Sequence, residues 1–221
     1  MRNRTTALFV SLIVIASASG AKGDLLINPG AETGDLTGWT KGGVSNPFVD
    51  NGSFNPGINP HSGSFDFVGG TGAFGTLTQN VSLSGAPGIT DTLIDSGLAS
   101  AGVSFWEQGL NQGPTSDNGF VSLTFRDVNN SALGTVSTLV IDSHNLTWET
   151  FTGSFAVLTG TRSIDYTMNF TRNVGSDNDS YFDDNSLTVS VSSVPEPASL
   201  IMLGMGALTI VGFARRRKRA A

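Results

Sequence analysis

From Asp24 onward, apolar residues recur at every second position in short runs, not at helical spacing. Ile164, Tyr166, Met168 and Phe170 alternate with Asp165, Thr167 and Asn169, and Leu187, Val189 and Val191 alternate with Thr188 and Ser190. Successive side chains of a strand point to opposite faces, so each run predicts a strand with one buried side. In Phe120–Asp127 the core side is Val121, Leu123 and Phe125. The same pattern predicts strands at 24–27, 64–68, 75–81, 101–107, 120–127, 133–141, 149–157, 162–172 and 180–191. Gly113-Pro114 and Asn129-Asn130-Ser131 read as turns. Leu93 to Leu98 predicts one helical turn, and Gly42 to Gly63, rich in Gly, Asn and Pro, a long surface loop. Short strands joined by loops of varied length predict an all-β fold. Its expected form is a two-sheet antiparallel β-sandwich of the jelly-roll type, with no internal repeat and no second domain.

The two ends follow other rules. Arg2 and Arg4 precede an apolar stretch from Ala7 to Ala16, and small residues follow at Ser17–Ala21. That is the layout of a secretory signal peptide, expected over residues 1–23. Near the other end, Pro195 and Pro197 interrupt regular structure. Residues 198–214 then form an uncharged apolar run that reaches the length of a short membrane helix, about 17 residues. Arg215, Arg216, Arg217, Lys218 and Arg219 favour the cytoplasmic face. The expected organisation is a signal peptide, a sandwich domain over 24–193, and a tail over 194–221 with a transmembrane helix at 198–214.

The chain carries a formal charge of −6, but the charge is unevenly placed. Between residues 24 and 193 stand four bases (Lys41, Arg126, Arg162 and Arg172) against 17 of the 18 acids, a net charge of −13. Such a domain repels nucleic acid and anionic lipid and suits divalent cations. The absence of cysteine removes disulfides, thiol catalysis and cysteine-based zinc sites. The histidines are His61 and His144. Asp142, Ser143 and His144 are consecutive, whereas catalytic triads are assembled from separate segments. No nucleophile elbow, His-Glu-x-x-His or phosphate-binding loop occurs. Asp177-Asn178-Asp179 lacks the Gly and terminal Glu of an EF-hand loop. The chain therefore reads as a non-enzyme.

Val194, Pro195, Glu196 and Pro197, followed by the apolar run and the basic end, resemble the PEP-CTERM sorting signal of exported bacterial proteins. The resemblance implies an exosortase as processing partner and an inner-membrane-anchored intermediate. After cleavage near Pro195–Pro197, the released domain would go to the cell surface or the exopolysaccharide matrix. The domain itself resembles galactose-binding-like, carbohydrate-binding-module-like jelly rolls. The matching stretches are Asn28-Pro29-Gly30-Ala31-Glu32 with Gly38-Trp39, His61-Ser62-Gly63-Ser64, Gly75–Val81, Val103–Trp106 and Tyr181–Leu187. That family implies a structural calcium ion shared by Glu32 and either Asp183 or Asp184. Strict alternation lets only one of the two aspartates reach it, and solvated turns are the alternative reading of all three acids. Trp39, Trp106 and Trp148 all read first as core, although the neighbours Phe105 and Trp106 cannot both face it in a regular strand; Trp148, at a strand entrance, is the candidate for exposure and sugar contact. The expectation is an exported, non-catalytic surface or matrix protein. Its rivals are a carbohydrate-binding module of defined affinity and a glycoside-active enzyme.

Overall fold

The computed structural model describes residues 23–141 and 147–192. The signal peptide to residue 22, His144 with its neighbours, Val194–Pro197, the 198–214 helix and the basic end lie outside the described residues. The strands are β1 (Thr40–Gly43), β2 (Phe48–Asp50), β3 (Asp66–Thr71), β4 (Phe74–Ser82), β5 (Ala99–Gly109), β6 (Asn118–Arg126), β7 (Ala132–Ser137), β8 (Glu149–Ala156), β9 (Ser163–Thr171) and β10 (Asp177–Val191). Among the described residues one short helix, α1 (Asp91–Asp95), lies between β4 and β5. The strands form two five-stranded sheets, ordered β1-β4-β9-β6-β7 and β2-β3-β10-β5-β8. Every strand pairing within them is antiparallel.

The predicted alternation sets the core. Along β9, Ile164, Tyr166, Met168 and Phe170 are buried, and along β5 Ala99, Ala101, Val103 and Phe105 are. Phe182 links the layers, its ring 5.4 Å from Phe105 and 5.0 Å from Phe170. Trp39 packs edge-on against Phe67 and Tyr166, which places it in the core as expected. The Tyr166 hydroxyl donates to Asn185 Oδ1, so this phenol is buried with its hydrogen bond made.

Four local expectations need correction. Residues 24–27 form no strand. Leu25 N donates to Leu187 O, and Ile27 exchanges two bonds with the Gln79 amide, so the segment clips one sheet to the other. The helical turn is Asp91–Asp95, not 93–98, because the Thr90 hydroxyl caps it by accepting from Leu93 N. The strand expected at 133–141 ends at Ser137, leaving Leu139 and Val140 exposed and Ile141 in an isolated bridge to Gly119. The segment 42–63 is not a plain surface loop. It contains β2, and its remainder folds over the outer face of the second sheet. There Ile58 closes a separate apolar cluster with Val68 and Tyr181, flanked by Phe48, Phe54, Leu110 and Trp148. Each large side chain so buried is worth about 1.5–3 kcal/mol.

Candidate functional site

The ends of that covering segment meet β10, β5 and the N-terminal loop on the outer side of the second sheet. A bulge in β10 makes this possible. Asp183 pairs with Trp106 and Ser186 with Ser104, so two residues of β10 stand against Phe105 alone. Asp184 takes a left-handed backbone, φ 47°, which aspartate tolerates better than most residues. The bulge suspends alternation. The carboxylates of Asp183 and Asp184 both approach His61, and one ligand atom from each of the three lies within 4.8 Å of the others.

His61 is held on three sides. Its Nδ1 shares a 2.7 Å hydrogen bond with Asp184 Oδ2. Its ring stacks on Trp106 at 3.9 Å, and the Trp148 ring stands edge-on at 5.8 Å. Trp106 is therefore not the core residue expected: Phe105 takes the core side of β5 and Trp106, next to it, is half-buried on the outer face. Trp148 is half-buried and donates from Nε1 to Asn59 O. Ser62 donates from its backbone to Asp183 Oδ2 and from its hydroxyl to Asp184 Oδ1. Asp183 is fully buried, and its carboxyl is pushed up to about 7. Burial is the main cause, opposed by the Ser62 N–H and reinforced by the neighbouring Asp184 charge.

Glu32 takes a different position. Its carboxylate accepts the backbone N–H groups of Ser64 and Phe65 at 3.1 Å, two residues beyond the Asp183–Ser62 contact. The N-terminal loop also comes close to the aspartates: a Cβ at Gly30 would lie 3.1 Å from Asp183 Oδ1. The expected acids thus converge on one segment, 61–65, from two sides. Glu32 is exposed and engaged with backbone, whereas Asp183 and Asp184 join His61. The carboxylates are hard oxygen donors of the kind calcium takes, whereas the His61 imidazole beside them is a nitrogen donor, so the group as a whole is a mixed set.

The Ser62 hydroxyl donates to Asp184, while His61 turns its Nδ1 to the same carboxylate and its face to Trp106. Sequence reading treated His61 as one member of a loop motif. Its role as the centre of an aromatic and acidic cluster depends on partners more than 40 residues away, and no local signal carries that.

Comparison with known proteins bears on both parts of the chain. Residues 193–218 match the PEP-CTERM protein-sorting motif, so the C-terminal segment carries that motif, which implies export with membrane-anchored sorting. No curated protein matches the chain in sequence. Among solved structures, the fold is similar to the enzymatically active domain of bacteriophage CBA120 tailspike protein 4 (TM-score 0.54, 16% identity, 75% of this chain and 21% of that one). It is similar to the CBM22-1 xylan-binding domain of Paenibacillus barcinonensis Xyn10C (TM-score 0.51, 14% identity, 79% and 99%). It is also similar to a family 16 carbohydrate-binding module (TM-score 0.50, 15% identity, 75% and 99%). At these identities the likeness establishes a carbohydrate-binding-module-like β-sandwich fold. Among the described residues no helix is long and apolar enough to cross a membrane; the apolar run 198–214 lies outside them.

Proposed function

We propose that this chain is an exported, non-catalytic surface or matrix protein, cut by an exosortase near Pro195–Pro197 and released to contact exopolysaccharide. The observation that carries this reading is the sorting motif at 193–218 behind a sandwich domain of carbohydrate-binding type. Within that type, the jelly-roll form is supported by the strand path. From β3 onward the chain alternates between sheets, except that β6 and β7 are neighbours in one sheet. A membrane-anchored intermediate held by residues 198–214 would precede release. Mass spectrometry of the protein from its native host tests the reading: expected are termini near residue 24 and near Pro195–Pro197. Recovery of the untrimmed chain from the cytosol would overturn it.

A narrower reading is a carbohydrate-binding module of defined affinity. It is favoured by the half-buried Trp148, set beside His61 and Trp106 at a loop cluster where a sugar ring could stack. It predicts that Trp148→Ala abolishes binding in a glycan screen without lowering the melting temperature enough to unfold the domain. In the same region Asp183 and Asp184, with Glu32 able to join across segment 61–65, would hold a structural calcium ion. Such an ion would tie the first loop of the domain to its last strand.

A further inference from the structure

A second group of acids lies beside this cluster. Asp50 on β2 pairs directly across from Asp66 on β3. The β3–β10 register pairs Phe67 with Phe182, so one step further Asp66 stands beside Asp183 on β10. Three carboxylates therefore sit side by side on three adjacent strands, at a spacing where like charges oppose one another. Asp66 is the middle one. It is fully buried, and neither of its oxygens has a hydrogen-bond partner.

The flanking acids are engaged. Asp50 accepts the backbone N–H groups of Gly52, Ser53 and Phe54, and Asp183 accepts that of Ser62. The covering segment is thus hung at both ends on the outer members of the row, with Asp66 between them. No cationic side chain balances the row from within the sheet. The strands of the second sheet hold eight acids and neither Lys nor Arg.

A lone buried carboxylate must be neutralised by a proton or by a bound cation. We propose that Asp66, flanked by Asp50 and Asp183, binds a hard divalent cation of the calcium class that fastens segment 51–62 to the second sheet. Carboxylates in flexible number and geometry are what calcium accepts. Asp66 keeps both oxygens free and Asp183 accepts a single N–H on each of its own, so these two offer the donors, while the Asp50 oxygens are taken up by Gly52, Ser53 and Phe54 and contribute charge. Consistent with this crowding, burial raises Asp66 to about 8, with the charges of Asp50 and Asp183 adding to the rise. The site is distinct from the Glu32 calcium reading, although it shares Asp183 with it.

Calorimetric titration of calcium into chelator-stripped full-length protein tests this, comparing wild type with Asp66→Asn, Asp66→Ser and Glu32→Gln. Metal-site substitutions even outside the direct ligands weaken binding about 10–100-fold, so each Asp66 variant should lose at least about tenfold in affinity for one binding event. Glu32→Gln should keep that event. Loss in Glu32→Gln alone would assign the ion to the Glu32 reading and overturn this one. Equal calcium binding by wild type and both Asp66 variants, or none by wild type, would overturn it too and leave Asp66 neutralised by a proton. Hydrogen exchange on Glu32→Gln protein covers the case of variants that fail to fold. Calcium should slow exchange at Gly52, Ser53 and Phe54, and unchanged exchange there would sink the proposal.

Discussion

The outer faces of the two sheets arise from the same period-two pattern and solve opposite problems. The first sheet presents short polar side chains to solvent and pairs them across strands. Thr78 meets Thr167 at 3.0 Å, Thr124 meets Thr135 at 2.9 Å, and Asn169 donates to the Ser122 hydroxyl at 3.1 Å. All four bases of the domain lie in or next to strands of this sheet, and Arg126 and Arg162 find carboxylates there. The second sheet has acids without bases, and a segment of low periodicity covers them. Alternation decides which residues leave the core; it does not decide whether they reach water.

The sharpest test of this contrast is to remove an anchor from the covered face. Tyr181 is fully buried outside the main core, and Asn55 Nδ2 donates to its hydroxyl. Tyr181→Ala should cost about 3–5 kcal/mol in denaturant unfolding, as truncations of large core aromatics do. A cost below about 1 kcal/mol would mean that the second cluster is a loose cover and not a packed layer.

The next effect is smaller and polar. Asn55 reaches from the covering segment to Asp179 Oδ1 and the Tyr181 hydroxyl together. Asn55→Ala leaves both with one partner fewer in a dry setting, at a cost of about 1–3 kcal/mol. The same measurement should show the change as a lower denaturation midpoint with unaltered slope. A lowered slope would instead indicate that the segment had already detached in the native state.

These two residues also mark the limit of what the sequence makes legible. β6, β9 and the end of β10 are readable because their burial follows alternation set within each strand. The sorting motif is readable because it is local. Asp66 is not: within 64–68 it occupies the polar phase of a strand and so reads as solvent-facing. It is buried all the same, under a covering stretch of Gly, Asn and Pro that offers just Phe54 and Ile58 as apolar anchors to notice. The bulge at Asp184 is equally silent, since a left-handed aspartate leaves no mark on composition. Calcium ligation by Glu32, Asp183 and Asp184 came from resemblance. The fold adds that Asp183 and Asp184 gather around His61 while Glu32 binds the backbone beyond it.

On the open face, equivalent substitutions should matter little. Thr78→Ala and Thr167→Ala each remove one half of a hydroxyl pair whose other half can turn to water. Each should cost no more than about 1 kcal/mol, and the double mutant should show only a small coupling between them. A coupling well above about 1 kcal/mol would erase the distinction between the two faces.

The smallest expected effect is a difference of sign with pH. Beside the first sheet, Arg162 forks onto Asp95 through Nη1 at 3.0 Å and Nη2 at 2.8 Å. The Arg162 hydrogen bonds, followed by the Gly160 N–H, hold the Asp95 carboxyl below its ordinary range. A carboxylate lowered in the folded state adds stability above its unfolded pKa of about 4, and that stability is lost as pH falls through the lowered value. Asp179, under the covering segment, is raised, chiefly by burial. Its contribution runs the other way: the folded state holds its proton longer, so stability falls as pH rises above about 4. Arg162→Leu should therefore flatten the acid side of the stability profile, and Asp179→Asn the side above it. Because the Arg162 pair is exposed, moderate salt should erase most of the first change and little of the second. Equal salt sensitivity of the two slopes would show that the covered acids see solvent after all.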